Sequence, residues 1–226
     1  MIFFLILGLL FYLTWLIEPY SPPKNILLSN ITDHQSTISY TTSIPTKGII
    51  IISSNSKFPI LPIFAKNILK DDGEKSTKKV GYYTTHHITI GSLQPQTKYQ
   101  FRVYQGQKKV YEGEFTTTSA LSTLRNPNPV YGRILKTDKK TPVVGAIVYL
   151  TLQKESSESS LLSTLTNSKG GWSMDLGNLR SKDLKNYFKV DKKIKEEVIV
   201  TTSDKAGFKA QTNYGQDKPW SDIILK

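Results

Sequence analysis

The chain has 226 residues, 38% of them hydrophobic and 21% charged, a composition that fits one or two folded domains rather than a disordered polymer. It has no cysteine, which excludes disulfides, thiolate metal sites and a cysteine nucleophile and leaves packing to hold each domain together. Its net charge of +12 is spread along the chain, and only Arg102, Arg125, Arg133 and Arg180 among the basic residues are arginine. Such a pattern argues against nucleic-acid recognition and for weak attraction to an anionic surface.

The chain opens with MIFFLILGLLFYLTWLI, residues 1–17, with no charged side chain before Glu18. As a helix it would reach about 25 Å, at the short end of what crosses a bilayer. Trp15 and Tyr20 stand where interfacial aromatics belong, and no small-x-small cleavage site follows. The leader therefore reads as an uncleaved, single-pass signal-anchor with the rest of the chain outside the cytoplasm. Lys24, on the far side, argues mildly against that orientation. Pro19, Pro22 and Pro23 stop the helix, and residues 18–23 read as a short stiff linker.

From residue 24 to 119 the hydrophobic period is near two. NILLSNI, STISYTT, KGIIIIS, TTHHITI, KYQFRVY and VYEGEFTT alternate apolar and polar residues between turn signals. Short strands at this density predict an antiparallel sandwich. The stretch LQPQT (93–97) looks like a sortase sorting signal, but Lys98 follows where glycine is needed, and a second module lies beyond it.

ITIGSLQPQTKYQFRVY (88–104) instead resembles the tyrosine corner of fibronectin type III modules. The resemblance implies that Leu93 plugs the core, Pro95 shapes the crossing between sheets, and Tyr99 returns its hydroxyl to upstream backbone. STISYTT is similar to the second strand of that family, with Tyr40 where tryptophan is commoner. The module also resembles the N-terminal domain of purple acid phosphatases. The insertion at 56–79 departs from the family and reads as a ragged edge strand and an exposed loop.

Residues 120–129, ending in RNPNP, read as a linker, and a second module follows at 130–226. Gly132, PVVGA (142–146) and NSKGGW (167–172) carry a resemblance to carboxypeptidase regulatory-like (transthyretin-like) domains. Gly145 and Gly170 offer positive φ at tight turns, and Trp172 offers a large core plug. Residues 179–197 replace the family's later strand and read as a short helix or irregular loop. The fold class is thus all-β: two tandem antiparallel sandwiches behind a transmembrane helix. Separate cores and a polar linker predict modules that share little surface and hinge at 125–129.

Little in the sequence points to chemistry. His86 and His87, adjacent in a strand, face opposite ways and cannot chelate one ion together; with His34 they read as structural. Asp71-Asp72 and Glu196-Glu197 lie beside lysines and read as solvated loops. No paired carboxylates, P-loop, H-E-x-x-H or G-x-S-x-G motif occurs. Asn30-Ile31-Thr32 forms a glycosylation sequon. The lysines from Lys182 to Lys195 suit anionic glycans or a solvated face, and Trp172 with Trp220 suits a sugar platform or, better, a core. The expected function is a non-catalytic cell-surface spacer, adhesion or protein-binding unit without cofactor, metal or nucleic acid. The alternative is an accessory glycan- or substrate-binding module of an extracellular hydrolase system.

Overall fold

The computed structural model describes residues 19–65, 68–77, 81–123, 125–155, 157–191, 193–203 and 207–225. The apolar leader lies outside them, and no helix among the described residues is long and apolar enough to cross a membrane. Among the described residues the fold is all-β, in four small sheets that are antiparallel except for one short parallel pair.

Among the described residues the first module holds β1 (Lys24–Ser29), β2 (Ser36–Thr46), β3 (Ile49–Ser53), β4 (Tyr83–Ile90), β5 (Lys98–Gln105) and β6 (Lys108–Thr116). They form two sheets in the orders β1-β2-β4 and β3-β5-β6. Alternation sends Ile38, Tyr40, Ile88 and Ile90 inward from one sheet to meet Ile50, Phe101, Val103 and Phe115 from the other. Leu93 joins this core, and Pro95 stays at the surface. Tyr99 is buried against Phe115, and its hydroxyl accepts the Gln94 N–H at 2.9 Å. That bond ties the start of β5 to the turn before it.

The insertion between β3 and β4 departs from the expected exposed loop. Its first part is exposed, with Ile60 at 95%. Its second part folds back: Leu69 bridges to Ile50, and a short helix, α1 (Asp72–Thr77), follows against β4. Asp71 is consequently buried, not solvated, and its carboxylate accepts the Gly73 N–H that opens the helix.

The second module holds β7 (Pro129–Leu135), β8 (Ile147–Lys154), β9 (Ser157–Glu158), β10 (Leu162–Leu165), β11 (Gly171–Asp175), β12 (Lys195–Thr201), β13 (Phe208–Asn213) and β14 (Ile223–Ile224). One sheet runs β10-β8-β12-β13 with β9 on β8, and the other β11-β7-β14. Val148, Leu150, Leu152, Val198 and Val200 face Val130, Ile134, Trp172, Met174 and Ile223 across its core. Trp172 and Trp220 meet edge to face at 6.0 Å inside this core, which removes them as a sugar platform. Gly170 has φ +72°, and a Cβ there would stand 2.4 Å from the Ile134 carbonyl, so no other residue fits the turn. Residues 179–191 take an irregular path that delivers Leu179 and Phe188 to the core.

One polar pair sits within this module. Glu196 and Asp217 are both fully buried, and the Trp220 indole N–H donates to Glu196 at 3.0 Å. Glu196, expected in a solvated loop, is thus part of the interior. Burial, then the Asp217 charge, push the Glu196 carboxyl from 4.5 up to about 8, so it is protonated at neutral pH.

Two outcomes follow. Tyr99→Phe should lose about 1 kcal/mol, and Tyr99→Ala several more, in equilibrium unfolding; variants that melt like the parent would exclude the corner bond. The native state keeps the Glu196 proton after the unfolded chain has released its own. Its contribution is therefore complete below pH 4.5 and lost as pH rises through about 8. Thermal melts between pH 5 and 9 should fall with pH, and Glu196→Gln should flatten that fall.

Candidate functional site

The two modules share a buried face, where the linker composition suggested little common surface. The outer face of β1-β2-β4 carries Ser29, Thr37, Ser39, Thr41 and His87, polar residues on the side away from the core, and all of them are buried. Tyr149 of β8 and Ser163 of β10 are buried opposite them. Hydroxyl meets hydroxyl: Ser39 with Tyr149 at 2.8 Å, and Ser29 with Ser163 at 2.6 Å. Thr85 donates to the Gly145 carbonyl at 2.6 Å, where that glycine turns with φ +70°. Asn30 acts as a piece of strand: its side-chain oxygen accepts the Ser163 N–H and its amide donates to the Ser163 carbonyl, both at 3.0 Å. The same amide donates to Thr37 at 2.9 Å, so the sequon asparagine is committed to the junction.

His87 is the centre of this face. Its Nε2 lies 2.9 Å from Ser163 Oγ, and its Nδ1 lies 2.6 Å from Asp72 Oδ2. Asp72 also accepts from the Thr89 hydroxyl at 2.7 Å. His86, on the opposite side of β4, stacks on Tyr40 at 4.4 Å and bonds Asp71 and Thr46 at 3.2 and 3.1 Å. The Tyr40 hydroxyl is raised above its ordinary range by burial and then by Asp71. The acidic dipeptide thus serves both faces of β4, one carboxylate per histidine. No group of three or more residues able to hold a metal occurs among the described residues.

Ser163, His87 and Asp72 have the order and spacing of a nucleophile, base and orienting acid. They also lie where the two modules meet. Ser163 is buried in the middle of a strand, its Oγ is held by Ser29, and its N–H is spent on Asn30. An acyl-transfer site needs an approach to the nucleophile and free N–H donors beside it. Cavities flank the relay, and Ser163 borders both of these: one of about 410 Å³ beside Asn30, Asp33, Arg180 and Tyr187, and one of about 730 Å³ beside Asp72, His87, Thr85 and Gly145. Arg180, at the edge of the first, is buried and reaches Asp33 and the Ser119 carbonyl at 3.5 Å each.

No protein-family model matches this chain, and no curated protein matches it. Among solved structures the chain is similar to the FN1–FN3 domains of chicken CNTN1, at 13% identity and a TM-score of 0.30, over 91% of this chain and 68% of that one.

The sequence-chosen residues Leu93, Tyr40, Tyr99 and Trp172 lie in the two cores, and Gly145 reaches the junction through its carbonyl. The sequence reading missed Asp72, Ser29, Ser39 and Ser163 as junction residues, and Asp71 as the buried partner of His86. One signal was available: the outward positions of β2 and β4 hold threonine, serine and histidine but no lysine or glutamate, unlike a solvent face.

Residues 21–119 and 124–226, expressed separately, should each melt clearly below the intact chain. His87→Ala in the intact chain leaves Asp72 and Ser163 without a shared partner, which should cost about 1–3 kcal/mol, or on the order of 5 °C in Tm. Pieces that melt at the temperature of the whole would show that the junction adds nothing.

Proposed function

We propose that this chain is a single-pass, membrane-tethered protein whose two β-sandwich modules act outside the cytoplasm as one rigid spacer and binding unit without catalysis. The first module is fibronectin type III-like in this reading, and the second carboxypeptidase regulatory-like. The observation that carries the proposal is the buried junction, which joins the modules through side chains that would otherwise be ready for chemistry. A binding unit gains from such a joint, because surfaces on both modules keep a fixed spacing and pay less ordering entropy on contact. The cavity beside Asn30 and Arg180 favours one second reading, an accessory module that recruits a glycan or a substrate for a separate hydrolase.

Two measurements check the proposal together. Protease added to intact cells should release a fragment carrying both modules, and a fluorophosphonate probe should leave Ser163 unlabelled. Protection until lysis would place the modules on the other side of the membrane, and labelling of Ser163 that is lost in His87→Ala would make the joint an active site.

A further inference from the structure

The stretch that follows the leader in sequence is hydrogen-bonded to one end of the first module. Ser21 stands four residues beyond Ile17, the last residue of the apolar run. It is buried: its N–H donates to Gln105 Oε1 at 3.0 Å, its carbonyl accepts from Gln105 Nε2 at 2.6 Å, and its hydroxyl accepts the Ser43 N–H at 2.8 Å. Thr46 pairs with Tyr83 across β2 and β4, and the Thr42 hydroxyl donates to the Ile44 carbonyl at 2.8 Å. These bonds gather residues 20–21, 43–46, 82–83 and 105–108 at one end of the sandwich. The expected linker at 18–23 is therefore docked onto the module from Ser21 onward.

Large apolar side chains are exposed at that end: Tyr20 at 51%, Tyr82 at 47% and Ile44 at 44%. An ammonium lies over each tyrosine ring, Lys108 at 4.2 Å from Tyr20 and Lys47 at 4.9 Å from Tyr82. Lys24 is exposed where β1 begins, while Asp71 and Glu74 of the neighbouring insertion are buried. Across the junction, exposed Val144 borders the same cavity as Tyr83. The end thus combines apolar rings, an aliphatic tip and outward positive charge.

Four residues of extended chain span at most about 14 Å. A leader that crosses a bilayer would hold this end within headgroup reach, with no slack for the module to swing away. Tyrosine rings capped by ammonium groups are suited to that depth, where the ring sits among headgroups and the cation meets anionic lipid. We infer that the rim of Tyr20, Ile44, Tyr82, Lys47 and Lys108 seats on anionic lipid headgroups and stands the two-module unit directly on the membrane. The inference rests on the leader being the anchor.

The absence of native cysteine makes the test direct. Full-length Ile44→Cys and Gly91→Cys are labelled with a fluorophore and reconstituted in phosphatidylcholine vesicles with or without phosphatidylglycerol, with headgroup-nitroxide lipid as quencher. Gly91 is open, with no atom within 4 Å of an added Cβ, and lies beyond the far end of β4, about 30 Å from Tyr82. Quenching at position 44 should be several-fold stronger than at 91 when phosphatidylglycerol is present. It should drop in the Lys47→Glu/Lys108→Glu background while the chain still resists alkaline extraction. Equal quenching at 44 and 91 in chain that resists extraction would overturn the rim and leave the anchor standing. Quenching at 44 indifferent to phosphatidylglycerol and to the lysines would also overturn it. Chain removed by alkali would overturn the anchor and the rim together.

Discussion

The structure depends on one constraint: a polar sheet face has been taken out of water. The outward side of β1-β2-β4 is made of hydroxyls, an imidazole and an asparagine amide, and each of these groups loses hydration when the second module covers it. Burial of such a face is tolerable only if nearly every group finds a partner, and here they do so across the joint: Ser39 with Tyr149, Ser29 with Ser163, Asn30 with the Ser163 backbone, Thr85 with Gly145. Each bond contributes little net stability, but an unmade one costs more than a made one yields. Misalignment is thereby penalised at several points together, which fixes the docking angle more firmly than an apolar patch of equal area would.

The same constraint explains why the junction holds a relay with the spacing of an enzyme triad. A histidine buried between two polar surfaces needs one partner for each ring nitrogen, and Asp72 and Ser163 are what the two sides supply. Geometry alone therefore does not distinguish a triad from a joint. At Ser163 the hydroxyl meets Ser29 as well as His87, and the N–H is bonded to Asn30, so the groups that a triad would use are also the bonds that hold the joint.

The sandwich fold was legible because it rests on local patterns. STISYTT and KYQFRVY alternate with period two, and the inward residues they nominate, Ile38, Tyr40, Phe101 and Val103, lie in the first core. The spacing of Leu93, Pro95 and Tyr99 was readable for a similar reason, since a tyrosine whose hydroxyl bonds to Gln94 acts within five residues of itself. The junction was not legible, because every one of its bonds links residues far apart in sequence. Asp71-Asp72 beside a lysine looks solvated until the insertion folds back over β4, and Ser163 in a short strand looks like any exposed hydroxyl. A proline-broken linker says that the chain changes direction; it says nothing about whether the surfaces on either side fit.

The linker itself shows how composition can mislead. Thr117 and Thr118 bond back to Thr97 and Thr32 of the first module, Ser119 accepts from Arg180 of the second, and the Asn128 N–H donates to Asp175. A segment bonded at both ends, between modules that share a buried face, has less freedom than its prolines and asparagines suggest. Docking of Ser21 on Gln105 does the same at the start of the first module. With slack removed at both joints, the orientation of one sandwich determines that of the other.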